Sequence, residues 1–249
     1  MATVQGPIGK IEIFEDFVGA ERAVALTTTS GNLNSLKVIG DGMDVNDSGI
    51  VALDSDGVNG VAQFTTTNED KHAIGVSTST MFDVGNMGTI VAEARVRLPA
   101  VANREVFFGF SDVSLEDYSL EDDIFHGNGT AITLTASDGA GFLFSSELTD
   151  ATDWHGVYAG GANAGATTST DIDLDDVAVA GEFQILRLEI SENGTCRWYI
   201  DGELKQTKTG AVSTTVDLAC QLVVETKTAS ALTMDVDYFY VSAARDFTI

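Results

Sequence analysis

From Gly181 to Thr207 the chain alternates apolar and polar positions with a period of two. Leu186, Leu188 and Ile190 point to one side and Arg187 and Glu189 to the other, the pattern of a half-buried strand. Asn193-Gly194 predicts a hairpin turn; Cys196, Trp198 and Ile200 line one face of the next strand, and Asp201-Gly202 predicts a second turn into Glu203 to Thr207. Asn-Gly and Asp-Gly favour such turns because both tolerate positive φ at the central positions. Upstream, Ile90, Ala92, Ala94 and Val96 oppose Val91, Glu93, Arg95 and Arg97 until Pro99 ends the strand. The run "EVFFGFSDV" from Glu105 is nearly continuous in apolar residues, which suits the middle of a sandwich.

Further strands are predicted at "LKVIG", "GIVALD", "GVAQFTTT", "TAITLTAS", "GFLFSSEL", "DIDLDDVAVAGEF", "LACQLVVE" and Leu232 to Val241. The total is roughly a dozen at jelly-roll spacing. "HAIGVSTSTMFDVG", from His72, reads as an edge-like segment with a Ser/Thr face. "LEDYSLEDDI", from Leu115, is acidic and reads as containing a helical turn, and Trp154 to Thr170 reads as an exposed loop or a weak strand pair.

Composition agrees with this pattern. The 249 residues include 25 Gly, only 2 Pro and 44% hydrophobic residues, enough for a substantial core, and carry no 3.6-residue stripe and no fixed-period repeat. The expected fold is therefore all-β: a two-sheet antiparallel jelly-roll β-sandwich over residues 11–245, with an arm at 1–10 and a tail at 246–249. The arm contains Gly6, Pro7 and Ile8 and little to bury, as expected of a segment that packs on a neighbouring subunit.

Net charge narrows the partners. With 38 acidic against 13 basic residues the charge is −25, which repels phosphate backbones and argues against nucleic acid. The start "MATVQGPIGKIEIFEDF" has neither the basic beginning nor the apolar run of a signal peptide, and no segment reaches the ~18 apolar residues of a membrane span. Cys196 and Cys220 lie within apolar strand patterns and are expected to be buried free thiols, with a bridge between neighbouring strands as the other reading.

Three stretches carry a family resemblance. The run from Phe183 through "RWYIDGELKQT" resembles the late strands of the concanavalin A-like lectin/glucanase sandwich, which includes laminin G-type modules and laminarinase-type glycoside hydrolases. "GTIVAEARVRLPA" (Gly88 to Ala100) is similar to the strand those glucanases place before their active-site face, and "MDVDYFYVS" (Met234 to Ser242) resembles the closing strand. The three lie in the order the family requires. The resemblance implies a jelly roll and, in the glucanase branch, catalytic carboxylates carried as Glu-x-Asp-x-Glu on one strand, because residues two apart share a face.

No such triplet occurs. Glu116, Glu121 and Asp123 have different spacing, and Asp171, Asp173 and Asp175 include no glutamate, so no glycosidase activity and no catalytic residues are expected. His72, His126 and His155 show no metal-ligand spacing. Asp44, Asn46 and Ser48 have the spacing that opens a calcium loop, but Ser55 stands where its closing carboxylate belongs, so the expectation is no cofactor, with Ca2+ the candidate. Trp154, His155 and Tyr158 form the aromatic cluster with polar neighbours that a sugar-stacking site would use.

Taken with the arm and the tail "ARDFTI", these absences point to a non-enzymatic viral structural protein: a phage capsid decoration or cement protein built on a lectin-like sandwich. The chain also resembles in type the lectin-like sandwich proteins encoded among structural genes of marine phages. That reading implies a virion location, the major capsid protein or other virion proteins as partners, and a homo-oligomer, trimer or dimer. A carbohydrate-binding adhesin or tail-fibre module with a glycan partner is the alternative, and a divergent glycoside hydrolase the third reading.

Overall fold

The computed structural model describes residues 9–18, 23–25, 31–41, 49–53, 60–79, 81–163, 165 and 173–246. Twenty strands and one short helix lie among them, eight strands more than the pattern suggests, because several are only two to four residues long.

The first sheet holds nine strands. In spatial order they are β18 (Glu203–Lys208), β17 (Cys196–Ile200), β16 (Phe183–Ile190), β9 (Ile90–Arg97), β20 (Thr233–Ala244), β6 (Ala62–Thr65), β5 (Ile50–Leu53) and β2 (Ala23–Ala25), with β1 (Lys10–Glu15) also on β20. The second, also of nine, runs β15 (Asp173–Val177), β14 (Asp153–Ala159), β13 (Gly139–Ser145), β10 (Arg104–Ser111), β19 (Asp217–Thr226), β7 (Ala73–Ser77), β4 (Leu36–Gly40) and β3 (Gly31–Leu33), with β8 (Phe82–Asp83) on β19. Neighbouring strands within both sheets are antiparallel. The expected jelly-roll sandwich is what the chain forms.

The meander from Phe183 follows its pattern residue by residue, with Leu186 opposite Ile200 and Leu188 opposite Trp198. Its second turn has positive φ at both Asp201 and Gly202, as predicted. The first turn differs. Gly194 alone is left-handed, and its N–H bonds to the Ser191 carbonyl at 2.8 Å, so a type I turn ends on a glycine bulge.

Each sheet faces the core with one side. Phe108 from the second sheet meets Phe239 from the first with ring centroids 6.2 Å apart, and Trp154 packs edge-on against Phe142 and Phe144. Cys196 and Cys220 are buried free thiols on opposite sheets. On the outer side of the first sheet, Glu93, Arg95, Arg97, Arg187 and Glu189 form a half-buried network with Asp235 and Asp237.

The second sheet has no such open outer side at its centre. Strands β7, β10, β13 and β19 are buried along nearly their whole length on both faces. The segment "HAIGVSTSTMFDVG" is thus not an edge: β7 sits inside the sheet between β19 and β4. The outer face is covered by the chain between β10 and β13, comprising helix α1 (Leu120–Asp123) and the hairpin β11 (Phe125–Asn128) with β12 (Ala131–Leu134). Its buried Leu120, Ile124 and Phe125 supply the apolar contact, with the Phe125 ring 5.5 Å from Phe107 of β10. The helical turn expected in "LEDYSLEDDI" is α1. Ser119 Oγ accepts from the Asp122 N–H at 3.2 Å, while Asp123 accepts from the Ser119 N–H, a reciprocal pair that caps the N-terminal end of the helix.

Candidate functional site

Beneath this cover lies a cluster of charged side chains. Glu105 on β10 and Glu225 on β19 are directly opposite each other across the strand pair, so both side chains leave the sheet on the covered side. Both are fully buried. The Lys227 ammonium, just beyond β19, lies 2.9 Å from Glu105 Oε2 and 2.8 Å from Glu225 Oε1. It also reaches Glu121 of α1 at 3.3 Å and Glu147, after β13, at 3.6 Å. His126 of β11 stands beside them, its Nδ1 3.8 Å from Glu105 Oε2.

The cover grips the carboxylates through its backbone. Glu105 Oε1 accepts from the Gly127 N–H at 2.7 Å, and Glu225 Oε2 accepts from the N–H groups of Leu120 and Glu121. Burial, joined by the neighbouring Glu105 charge and opposed by Lys227, pushes the Glu225 carboxyl up to about 7. Burial disfavours the Lys227 ammonium, but Glu105 and Glu225 outweigh it and hold its pKa above the usual lysine range. Glu105 likewise raises His126 above its ordinary value. A carboxylic acid that titrates near neutrality, beside a second carboxyl and a fixed positive charge, can donate and accept a proton at physiological pH.

Sequence reasoning finds Glu121 and misses Glu105, Glu147, Glu225 and Lys227. The signal it had was a glutamate at one end of each of two apolar runs, opening "EVFF" and closing "LVVE". A search for carboxylates two apart on one strand cannot see a pair assembled across two strands. Of the other acidic candidates, Glu116 pairs with Lys37, and Asp123 serves the α1 cap.

The proposed sugar-stacking cluster lies elsewhere and is differently placed. Trp154, His155 and Tyr158 belong to β14, not to an exposed loop, and all three are buried. The Trp154 indole donates to Gln184 Oε1 at 3.2 Å inside the core, and His155 Nε2 bonds the Asp150 carbonyl at 3.1 Å. None of them offers an open face to a sugar ring. Near His155, half-buried Asp150, Asp153 and Asp173 bring their carboxylates together, and a second such group joins Glu121, His126 and Glu147. The calcium-loop residues Asp44, Asn46 and Ser48, the arm residues Gly6, Pro7 and Ile8, and Asp171 lie outside the described residues.

The fold is that of the concanavalin A-like lectin and glucanase jelly rolls. A glycoside hydrolase family 16 endo-glucanase from Bacteroides ovatus superposes with a TM-score of 0.58 at 11% identity, covering 92% of this chain and 99% of that one. The Emp47p carbohydrate recognition domain gives 0.57 at 10% identity, over 88% and 93%. The Crh5 transglycosylase gives 0.54 at 13%, over 92% and 87%. No family model and no curated protein matches the sequence. These neighbours overturn the expectation of a non-enzymatic virion protein. The sandwich is shared with a glucanase, a transglycosylase and a carbohydrate recognition domain, which removes the ground for the capsid assignment and for excluding enzymatic activity.

Proposed function

We propose that the chain is a carbohydrate-active protein that cleaves or exchanges a glycosidic bond on the covered face of its second sheet. The observation that carries this reading is the cross-strand pair Glu105 and Glu225, joined through Lys227. One ammonium touching both carboxyls holds them close, nearer the about 5–5.5 Å of retaining glycosidases than the wider gap that admits a water. In this reading the Glu225 carboxyl, pushed up to about 7, protonates the leaving oxygen while Glu105 attacks the anomeric carbon. Glu225 then takes a proton from the water or sugar hydroxyl that displaces Glu105, which restores both groups. The partly open Glu121 and Glu147 mark the rim through which a saccharide would approach once α1 and the β11–β12 hairpin lift. Fold neighbours that include a glucanase and a transglycosylase support the class of chemistry.

The test is turnover of mixed-linkage and β-1,3-glucans, with aryl β-glycosides as small probes, by the protein and by Glu225→Gln and Glu105→Gln. Cleavage or transfer is expected to fall by at least about 100-fold in either variant. The activity of the unaltered protein is expected to decline above pH 7. Turnover that survives both substitutions would sink the reading. The complete enclosure of the pair favours a second one, recognition without cleavage; glycan retention in affinity electrophoresis with no turnover by any form would select it.

A further inference from the structure

We infer that Glu121, His126 and Glu147 form a binding site for a divalent first-row transition cation, with Zn2+ the best match, which fastens the cover to the second sheet. Their ligand atoms all lie within 4.8 Å of one another. Two ligands at about 2.0–2.2 Å from a tetrahedral zinc ion stand about 3.3–3.6 Å apart, so side-chain movements of about 1 Å close the site. One imidazole with two carboxylates suits zinc or manganese; calcium prefers an all-oxygen shell.

Two further observations point to a cation. His126 is nine-tenths buried, and its Nδ1 has no hydrogen-bond partner among the described residues; the nearest carboxylate oxygen there, Glu105 Oε2, is 3.8 Å away. A buried imidazole nitrogen left in this way calls for a proton acceptor, a donor or a metal. The charge balance is also short. Glu105, Glu121, Glu147 and Glu225 converge on Lys227; Glu121 also meets the largely exposed Lys71 at 2.7 Å and Glu105 faces His126 at 3.8 Å, while Glu147 and Glu225 meet no second cation among the described residues. Lys227 makes its short contacts to Glu105 and Glu225 and its longer ones to Glu121 and Glu147. The latter pair is therefore the one a metal can recruit while the ammonium stays in place.

The three ligands come from different segments: Glu121 from α1, His126 from β11, and Glu147 from the turn that follows β13. A cation bound by all three ties both halves of the cover to the rim of the sheet. It leaves a coordination position for water. The inference does not rest on the saccharide reading, since its readouts are bound metal and melting temperature.

To test it, the full chain is stripped with chelator, mixed separately with Zn2+, Mn2+ and Ca2+, gel-filtered, and assayed for retained metal and melting temperature. One equivalent of Zn2+ and a raised melting temperature are expected, with Mn2+ weaker and Ca2+ without effect. His126→Ala and Glu147→Gln should each lower zinc affinity beyond the about 10–100-fold typical of losing an outer-shell partner. Glu147 sits at the rim, so its variant reports binding even if His126→Ala folds poorly. Asp153→Asn, in the other acidic group, should bind as before. The inference is overturned if no zinc is retained, or if retention survives both ligand substitutions or is lost in Asp153→Asn.

Discussion

The indole Nε1 of Trp198, on the first sheet, donates a 2.8 Å hydrogen bond to the main-chain carbonyl of Gly141 on the second. A Cβ at Gly141 would stand 2.5 Å from the Phe107 ring and 2.6 Å from the Phe108 carbonyl, so glycine is what lets β13 lie against β10 at this point. Trp198→Phe removes the inter-sheet bond and leaves a gap in a fully buried position. A loss of about 2–3 kcal/mol is expected in urea unfolding. A change below about 0.5 kcal/mol would show that the bond contributes nothing net.

Lys227 neutralises charge that cannot reach water. Lys227→Met leaves Glu105 and Glu225 buried without their shared partner, and should destabilise the protein by about 3–5 kcal/mol at pH 8. Acid should relieve the defect, because protonating Glu225, whose carboxyl burial pushes up to about 7, removes the repulsion between the pair. The gap between variant and parent therefore narrows from pH 8 to pH 5 in denaturant titrations.

Asp138 is buried beside β13, where both carboxyl oxygens accept from the Ser213 N–H, and burial pushes its pKa from 3.8 up to about 6. Between those values the folded chain binds more protons than the unfolded one. Its contribution to stability is thus fully present below pH 3.8 and is lost as pH rises through 6. Asp138→Asn keeps an acceptor oxygen and does not ionise. It should gain about 1–2 kcal/mol over the parent at pH 8 and nothing at pH 4.

Cys196 and Cys220 report on the integrity of the two sheets separately, since one thiol belongs to each. Burial raises both thiol pKa values, so neither should react with a thiol reagent in the native state. In an all-or-none unfolding the two should label at the same rate in mild urea. Faster labelling of one would show that its sheet opens alone.

The fold was legible where one face of a strand meets water. Leu186, Leu188 and Ile190 alternate with charged neighbours, and their strand, its partner and its turns lie where that pattern puts them. It was least legible where both faces are buried. In β7 and β14 the alternation vanishes, and His72 onward looked like an edge while the stretch from Trp154 looked like a loop or a weak strand pair. What hides the second faces is the cover from α1 to β12, and no local pattern announces that a segment will lie on a strand nearby. The candidate site was illegible for a related reason. Glu105 and Glu225 stand 120 positions apart and become neighbours only through the register of β10 with β19.

That same register sets a timetable for making the protein. The central pairing of the first sheet is β9 with β20, and that of the second is β10 with β19, so each sheet is closed by a strand that lies between Asp217 and Ala244. While a ribosome is still producing the chain, both half-sheets wait with bare edges, and Glu105 waits without its ammonium. The final strands then complete two sheets and a charge cluster together. A premature stop before Asp217 would release a chain with four bare strand edges, those of β9, β6, β10 and β7, in place of a slightly shortened sandwich, which makes this a protein that cells must finish or destroy.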